Sequence, residues 1–440
     1  MPYIYIVLCG RHIFAKNFYR GIFMEIKRDF YLQKLLLRKH NRLVKVITGV
    51  RRCGKSYLLN TIFKRHLLAN GVPEDHIIEV AFDDKENEAY RDPDAFYPYA
   101  KSRLTDGAMH YFLLDEVQML RDFEGVLNGL IHRQNADLYV TGSNAKFLSR
   151  DVISEFRGRG DEVHLSPLSF AEFMSVYDGD KRDGWEEYML YGGLPTVVLA
   201  TETEHKMELL NSLFSETYIS DILSRHKIKN VGEFEDLLNF LSSNIGSLTN
   251  PSKLSDTFRS VKKSKITPNT ISKYIGHLEE AYLLASAKRY DVKGRGYIGS
   301  PMKYYYVDLG LRNSRLEFSQ LEPTHSLENI IYNELRCRGF NVAVGLVPFA
   351  ERNSAGIPLR KQFEVDFVAS KGSKRYYIQA AYMIPDERKR EQELRALREI
   401  GDSFKKILVT YHAPAPLYNS DGIMTINIFD FLLKENSLDL

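Results

Sequence analysis

The 440 residues are too many for one hydrophobic core, so we expect two to four domains. Hydrophobic residues make up 44% of the chain and charged residues 27%, which excludes a mainly disordered protein. Sixty Lys and Arg against 57 Asp and Glu give a net charge of +3, which excludes a histone-like polycation but not a locally basic surface. Three cysteines exclude a disulfide framework, and no run of 18 apolar residues exists, so we expect a cytoplasmic protein without membrane contact.

The first 23 residues are predicted to be an upstream extension, with Met24 as a plausible true start. Their apolar stretch at 3–9 is short and basic residues follow it, whereas a signal peptide has the opposite order. The alternative is a short ordered segment that packs on the core.

Residues 24–165 alternate between helical and strand patterns, which indicates an α/β domain with a mostly parallel sheet covered on both faces. The β-branched run at 43–48 is typical of a buried strand. Further strands are predicted at 77–82, 111–114, 138–141 and 162–165, and helices at 29–39, 55–69, 93–105 and 121–134.

Three further regions follow. Residues 166–230 are predicted to be a helical connecting region, and 311–440 a small α/β domain. In 231–310, three helices precede two strands and a loop at 293–299 separates those strands, which is a winged-helix pattern. The winged-helix elements are predicted at 233–244, 252–261, 270–284, 285–292 and 302–307. The C-terminal helices are predicted at 327–338 and 385–399, and the strands at 340–346, 362–369, 375–381 and 407–410.

A phosphate-binding loop follows the first strand. Residues 49–56, GVRRCGKS, satisfy G-x-x-x-x-G-K-[ST] between a strand and a helix, the context that this motif requires. The glycines let backbone N–H groups turn toward a phosphate, and the helix N-terminus adds positive potential. Lys55 should bridge the β- and γ-phosphates, and Ser56 should offer its hydroxyl to Mg²⁺. The predicted ATP-binding residues are Gly49, Val50, Arg51, Arg52, Cys53, Gly54, Lys55, Ser56 and Tyr57.

A second apolar strand ends in two acids, Asp115 and Glu116. Such a strand delivers carboxylates to the sheet edge where ligands of an open α/β sheet bind. Asp115 should hold Mg²⁺, directly or through water, and Glu116 should act as the general base. The alternative is a chance loop at 49–56 followed by two helix-capping acids.

Other side chains are catalytic candidates near the γ-phosphate. Ser143 and Asn144 follow the strand at 138–141 and could contact phosphate or orient water, or they could cap a helix. Arg157 or Arg159 could place a guanidinium at the γ-phosphate, including that of a neighbouring subunit, or lie in a solvated turn.

Seven short motifs occur in a fixed order along the chain: KVITGVRRCGKS (45–56), LLDEVQ (113–118), TGS (141–143), RGR (157–159), LSPLSF (165–170), YGGLP (191–195) and YYYVDLG (304–310). Together they resemble a family of bacterial and archaeal AAA-type ATPases whose C-terminal half is known only as a domain of unknown function. The resemblance covers nearly the whole chain from Met24 and implies a P-loop domain of the ASCE kind, with an extra strand between the Walker A and Walker B strands. It also implies a winged helix and a restriction-endonuclease-like C-terminal fold, but no particular substrate.

The winged-helix region is basic. Residues 253–303 carry eleven Lys and Arg and four acids, a local net charge of +7. A helix opening at 267–270 would present Asn269 and Lys273 to a major groove, and Lys293 and Arg295 on the wing could reach phosphates of duplex DNA. The alternative is that this domain packs against the ATPase domain and its charges are solvated.

Restriction-endonuclease-like folds hold Mg²⁺ with a helix acid, a strand Asp and an [E/Q]-x-K triplet. By that resemblance the fitting residues are Glu328, Asp366 and Gln379. Ala381 stands where the lysine should be, although Lys374 or Lys361 could supply the ammonium; Glu364 could instead pair with Lys361. We therefore expect a degenerate domain without nuclease activity.

The sequence predicts an Mg²⁺-dependent AAA-type ATPase that acts as a nucleotide-driven switch or motor on nucleic acid or on a protein partner, including a second copy of the chain. Two alternatives stay open. One is a nucleotide-gated DNA-binding module with little turnover, and the other is an ATP-regulated Mg²⁺-dependent nuclease.

Overall fold

The computed structural model describes residues 25–142, 160–352, 358–413 and 415–440. The predicted extension at 1–23 and the candidates Ser143, Asn144, Arg157 and Arg159 lie outside these ranges. Among the described helices, none is both long enough and apolar enough to span a bilayer.

The described residues in 29–142 and 160–164 build a parallel five-stranded sheet with helices on both faces. Its elements are α1 (Asp29–Leu36), β1 (Val44–Thr48), α2 (Lys55–Tyr57), a π-helical segment (Leu58–Phe63), α3 (Lys64–Ala69), a 3₁₀ turn (Glu74–His76), β2 (Ile77–Ala81), a 3₁₀ segment (Lys85–Arg91), α4 (Pro93–Ser102), β3 (His110–Asp115), a 3₁₀ turn (Val117–Met119), α5 (Phe123–Ile131), β4 (Ala136–Thr141) and β5 (Gly160–His164). The strand order is β2-β3-β4-β1-β5, and all paired neighbours run parallel. The predicted α/β fold class is confirmed.

Strand β4 lies between β1 and β3. Val140 of β4 pairs with Val46 on one side and with Leu114 on the other. The extra strand that the resemblance implied therefore separates the strand before the phosphate loop from the strand that ends in two acids. Because the strands are parallel, their carboxyl ends meet at one edge of the sheet.

The two faces of this sheet bury different layers. Val44 and Val46 pack in one cluster with Phe96 of α4 and Leu127 of α5. Ile47 points the other way, into a larger cluster that extends through the rest of the chain, because side chains alternate along a strand. The five-stranded sheet therefore shares a continuous core with the later part of the chain.

The region after β5 is helical. Its elements are α6 (Phe170–Met174), α7 (Lys181–Tyr191), α8 (Pro195–Val198), α9 (Thr203–Ser212), a π-helical segment (Leu213–Ile219) and α10 (Ser220–Arg225). Ser169 and Glu172 form a capping box that starts α6. Trp185 of α7 is fully buried and lies edge-on to Phe429 near the C-terminus, which ties this region to the last part of the chain.

Three helices and a hairpin follow, in the predicted order. They are α11 (Val231–Ser243), α12 (Pro251–Lys262), α13 (Pro268–Glu280), β6 (Leu284–Asp291) and β7 (Gly296–Tyr306). The side chains of Asn250 and Thr267 cap α12 and α13, and each cap precedes a proline that suits the first helical turn. Strand β7 begins at Gly296, so the connecting loop is shorter than the predicted 293–299.

The remaining elements complete a mixed eight-stranded sheet. They are α14 (Leu309–Arg315), α15 (Pro323–Cys337), β8 (Asn341–Arg352), β9 (Pro358–Lys371), β10 (Lys374–Ala381), α16 (Glu387–Arg398), β11 (Lys405–Thr410), β12 (Leu417–Tyr418), β13 (Ile423–Asn427) and α17 (Ile428–Leu433). The strand order is β12-β13-β11-β10-β9-β8-β6-β7.

The hairpin differs from the sequence expectation, because it belongs to this sheet. Residues 289–291 of β6 pair in parallel with residues 344–346 of β8. This pairing gives hydrogen-bond partners to backbone N–H and C=O groups of β6 and β8 that would otherwise lie at an open sheet edge. The boundary that the sequence suggested at 310 would therefore divide strands that belong to one continuous sheet.

Candidate nucleotide-binding site

The phosphate loop takes the backbone shape that its glycines permit. Gly49 has φ +141° and Gly54 has φ +96°, and Arg52 between them is also left-handed, with φ +62°. A Cβ atom at Gly49 would lie 2.1 Å from the carbonyl oxygen of Leu165, so a side chain there would collide with the chain after β5. The loop runs directly into the helical residues 55–69.

The ammonium group of Lys55 lies inside this loop. Lys55 is buried, and its Nζ donates to the carbonyl oxygens of Gly49 at 3.0 Å and Val50 at 3.1 Å. These bonds hold a positive charge against the turn, where a phosphate oxygen would need it.

Ser56 and Asp115 contact each other. Asp115 ends β3 and is buried, and its carboxylate accepts hydrogen bonds from the hydroxyls of Thr141 and Ser56. Burial raises the pKa of Asp115, and the two hydrogen bonds oppose that shift. The two predicted Mg²⁺ ligands, from opposite sides of β4, are thus brought together.

Glu116 follows Asp115 in a strained backbone conformation, with φ +50°. Its backbone N–H donates to the Thr141 hydroxyl at 3.1 Å, and its half-buried carboxylate accepts from the amide of Gln118. Thr141 therefore bonds to both acids. Sequence reasoning looked instead at Ser143 and Asn144, just beyond this strand end, and missed Thr141 itself.

Residues far away in the sequence support the loop. The hydroxyl of Tyr218 donates to the carbonyl oxygen of Arg51 at 2.7 Å. The buried guanidinium of Arg28 donates to the carbonyl oxygens of Cys53 at 3.3 Å and Ser166 at 2.7 Å. Neither Tyr218 nor Arg28 stands in a nucleotide-binding motif, so only their contacts reveal this role.

Comparison with known proteins places this geometry in a family. Residues 41–174 match the AAA domain family, and residues 182–322 match a family described as a domain of unknown function. An uncharacterized protein of Haemophilus influenzae is 34% identical over 417 residues, which cover 93% of this chain and 99% of the relative. The chain belongs to this family of AAA-type P-loop ATPases.

Two further proteins are similar to this AAA protein. An uncharacterized protein of Methanocaldococcus jannaschii is 27% identical over 429 residues, which cover 94% of the AAA protein and 89% of the relative. The known structure of a Walker-type ATPase of Pyrococcus abyssi aligns with 66% of the AAA protein and 96% of its own chain, at 15% identity and a TM-score of 0.46. The predicted AAA-type domain is confirmed, while the winged-helix and nuclease-like interpretations stay predictions.

Two of the family-like motifs contact each other beside the P-loop of the AAA protein. The carboxylate of Asp308 accepts from the backbone N–H of Gly193 at 2.7 Å and from that of Leu311 at 3.2 Å. Burial raises the pKa of Asp308 to about 6. A Cβ atom at Gly54 would lie 3.8 Å from Cγ of Pro195, so the turn at 191–195 lies against the phosphate loop.

The four candidate DNA contacts of the AAA protein are on its surface. Asn269 and Lys273 on α13, and Lys293 and Arg295 at the hairpin turn, are all exposed. Asp291 shapes this turn, since its carboxylate accepts from the backbone N–H groups of residues 293 and 294. Not all of the positive charge counted in residues 253–303 lies on the surface, because Lys303 is buried.

Lys303 lies in an acidic cluster, which we define as Lys303, Glu328, Glu364 and Asp366; all but the half-buried Glu364 are buried. Its Nζ is 2.7 Å from Glu328, 2.9 Å from Glu364 and 3.9 Å from Asp366. The hydroxyl of Tyr305 also donates to Glu328, at 2.6 Å. Glu364 thus pairs with Lys303, a lysine that sequence reasoning did not consider for it, and Lys374 pairs with Asp439 at 2.8 Å.

The three residues suggested for a degenerate nuclease site do lie together. The backbone N–H of Asp366 donates to Gln379 at 3.4 Å, and the carboxylate of Asp366 accepts from the backbone N–H of Ala380 at 2.8 Å. Burial, with Glu328 close by, raises the pKa of Asp366 well above its ordinary value. Lys303 comes from β7, a strand that sequence reasoning assigned to the wing, so the spacing of the [E/Q]-x-K triplet could not point to it.

Proposed function

We propose that this AAA protein binds ATP with Mg²⁺ at its P-loop and hydrolyses it, and that this cycle drives a switch or motor acting on nucleic acid or on a protein partner, including a second copy of the chain. One observation carries the proposal. Lys55, Ser56 and the Asp115–Glu116 pair converge at the carboxyl edge of β1 and β3, although about 60 residues separate the two motifs.

The donors at this edge fit a magnesium ion. The hydroxyl of Ser56 and the carboxylate of Asp115 are oxygen ligands, which Mg²⁺ prefers, and the hydroxyl lies close enough to the carboxylate to lower the pKa of Asp115. A cation there would also offset the burial that raises the pKa of Asp115. When bound, Mg²⁺ would neutralise negative charge on the β- and γ-phosphates.

The chain's own residues would then bind and orient the substrate. Backbone N–H groups of the loop and the Lys55 ammonium would hold the phosphate oxygens. The carboxylate of Glu116, oriented by Gln118, would accept a proton from the attacking water. The hydroxyl of Thr141 would keep both acids in position.

Two substitutions separate binding from turnover. Lys55→Ala should abolish nucleotide binding measured by calorimetry, whereas Glu116→Gln should keep binding and lower phosphate release by about 10²–10⁴-fold, as expected for loss of a general base. Lys64→Ala is the matched control, since Lys64 lies on the next helical turns in a surface pair with Glu79 at 2.8 Å. Undiminished phosphate release by Lys55→Ala would refute the site.

A nucleotide-gated DNA-binding module is the second candidate, supported by the exposure of Lys273 on α13 and of Lys293 and Arg295 at the hairpin turn. Its affinity for duplex DNA should fall steeply with salt, and Lys293→Ala with Arg295→Ala should lower the slope of log affinity against log salt by about 2. Lys101→Ala, an exposed change on α4, should leave the slope unchanged. Binding that does not depend on salt would contradict this candidate.

We propose that the C-terminal domain is not an active nuclease. The ammonium of Lys303 touches three carboxylates and is itself buried, which supports a charge-compensated structural cluster. Purified protein should leave single-stranded and duplex DNA intact with either Mg²⁺ or Mn²⁺. Cleavage by the wild type that disappears in Asp366→Ala would overturn this proposal.

A further inference from the structure

Two histidines and a glutamate that no role above has used meet between α10 and α13. His226 directly follows α10, and His277 and Glu280 lie on the last turns of α13. Nε2 of His226 and Nδ1 of His277 are each 3.5 Å from Oε2 of Glu280. The two imidazole rings stack, with centroids 3.5 Å apart and an interplanar angle of 17°.

His277 lacks the partners that a buried imidazole normally has. The residue is 8% exposed, and neither ring nitrogen has a hydrogen-bond partner among the described residues. A buried polar group without a partner costs about 1–3 kcal/mol, so it calls for an explanation. The carboxylate of Glu280, at 3.5 Å, is too distant for a good hydrogen bond.

We propose that His226, His277 and Glu280 form a binding site for a zinc-like divalent transition-metal ion. The three ligand atoms all lie within 4.8 Å of one another. Two of their separations are 3.5 Å, close to the edge of about 3.3 Å of a tetrahedron with Zn–N and Zn–O bonds of about 2.0–2.1 Å. Because the stacked rings direct their in-plane lone pairs nearly parallel, the ring of His226, 17% exposed, must turn when the ion binds. Two imidazoles and one carboxylate form a ligand set for zinc and its neighbours rather than for Mg²⁺ or Ca²⁺.

The surroundings suit such an ion. Burial lowers the pKa of both His226 and His277, which keeps the imidazoles neutral, the form in which they bind metal. Glu280 is half exposed, which leaves an entry path and a fourth position for water. Lys273 and Arg225 are the nearby cations; Lys273 is exposed, and Arg225 is paired with Asp221.

A metal here would join two parts of the AAA protein. Helix α10 continues from the π-helical segment that carries Tyr218, whose hydroxyl bonds to the phosphate loop. Helix α13 is the helix that carries Asn269 and Lys273. The ion would therefore fasten the basic three-helix region to the element that supports the nucleotide site.

Cobalt binding tests the site directly. Untagged full-length protein, stripped with a chelator and kept in excess Mg²⁺ to occupy the P-loop, should take up one Co²⁺ with the visible absorption of a nitrogen-coordinated ion, and Zn²⁺ should displace it. His277→Ala and Glu280→Gln should each weaken Co²⁺ binding by more than about 100-fold, since even residues behind metal ligands are worth about 10–100-fold. Their melting temperatures without metal would show that they fold.

Two control variants make the result specific. His205→Ala removes an exposed histidine with the same i, i+3 spacing to a glutamate, Glu208, at 3.8 Å, and should leave Co²⁺ uptake unchanged. His76→Ala disrupts a second histidine group, with Asp106 and His110, and should also leave it unchanged. The proposal is overturned if folded wild type takes up no Co²⁺, if uptake survives in both His277→Ala and Glu280→Gln, or if only His76→Ala removes it. Should His277→Ala fail to fold, the half-exposed Glu280→Gln decides alone.

Discussion

Replacing Lys303 by methionine should destabilise the C-terminal half far more than the same change at a surface lysine. The Lys303 side chain is 5% exposed and its ammonium touches three carboxylates, which methionine would leave uncompensated in a similar volume. Breaking a buried ion pair in this way costs about 3–5 kcal/mol. Lys374→Met is the matched control, because Lys374 is 59% exposed in its pair with Asp439, and such pairs contribute about 0–1 kcal/mol.

The pH dependence gives an independent readout. Without the ammonium, Glu328, Glu364 and Asp366 repel one another, and the pKa of Asp366, already raised, should rise further. A carboxyl group whose pKa is raised by folding binds protons more tightly in the native state, so its contribution to stability is lost as pH rises through the native pKa. As pH rises above the ordinary pKa of an aspartate, the stability of Lys303→Met should therefore fall more steeply than that of wild type.

Urea unfolding followed by circular dichroism at several pH values measures both effects. Adding Glu328→Gln to Lys303→Met should restore part of the lost stability, because it removes one of the unpaired carboxylates. The reasoning is refuted if Lys303→Met and Lys374→Met unfold at the same urea concentration, or if the pH slope of Lys303→Met equals that of wild type.

Three further predictions concern the phosphate loop and the residues that pack around it. Thr141→Val removes the hydroxyl that donates to the buried carboxylate of Asp115, so it should cost about 1–3 kcal/mol in urea unfolding and slow phosphate release. Thr141→Ser should preserve both, and equal behaviour of the two variants would contradict this. Tyr218→Phe removes the hydrogen bond to Arg51, and a loss of roughly 1 kcal/mol should weaken ATP binding about fivefold in calorimetry; unchanged affinity would refute a supporting role. Burial raises the pKa of Asp308 to about 6, so the stability that this carboxyl group contributes is lost as pH rises through that value. Asparagine does not titrate, so the melting temperature of Asp308→Asn minus that of wild type should increase between about pH 5 and about pH 7. A constant difference would contradict the raised pKa.

Sequence patterns predicted those elements that depend on interactions between residues close together in the sequence. The phosphate loop depends on two glycines, one lysine and the flanking strand and helix, all within consecutive residues 44–69, and the structure has these elements where they were predicted. The three helices before the hairpin were also recognisable, because periodic apolar residues and the caps at Asn250 and Thr267 mark a helix within its own sequence. The placement of β4 between β1 and β3 came from the resemblance rather than from any local signal.

Contacts between distant segments were beyond the reach of such patterns. Thr141 was missed although it ends a predicted strand, because its hydrogen bonds reach residues about 25 positions earlier. Tyr218 and Arg28 support the loop from separate helical regions, and no motif distinguishes them from other residues of their kind. Their role depends on which surfaces pack together.

The amino-acid sequence by itself determined the P-loop domain of this AAA protein, because a strand, a glycine turn and a helix form from neighbouring residues. The tertiary structure alone decided that β6 pairs with β8, that Lys303 compensates Glu328 and Glu364, and that His226 meets His277. Open strand edges, buried charges and imidazole nitrogens all need partners, and the whole chain must pack before a particular partner comes within a few ångströms.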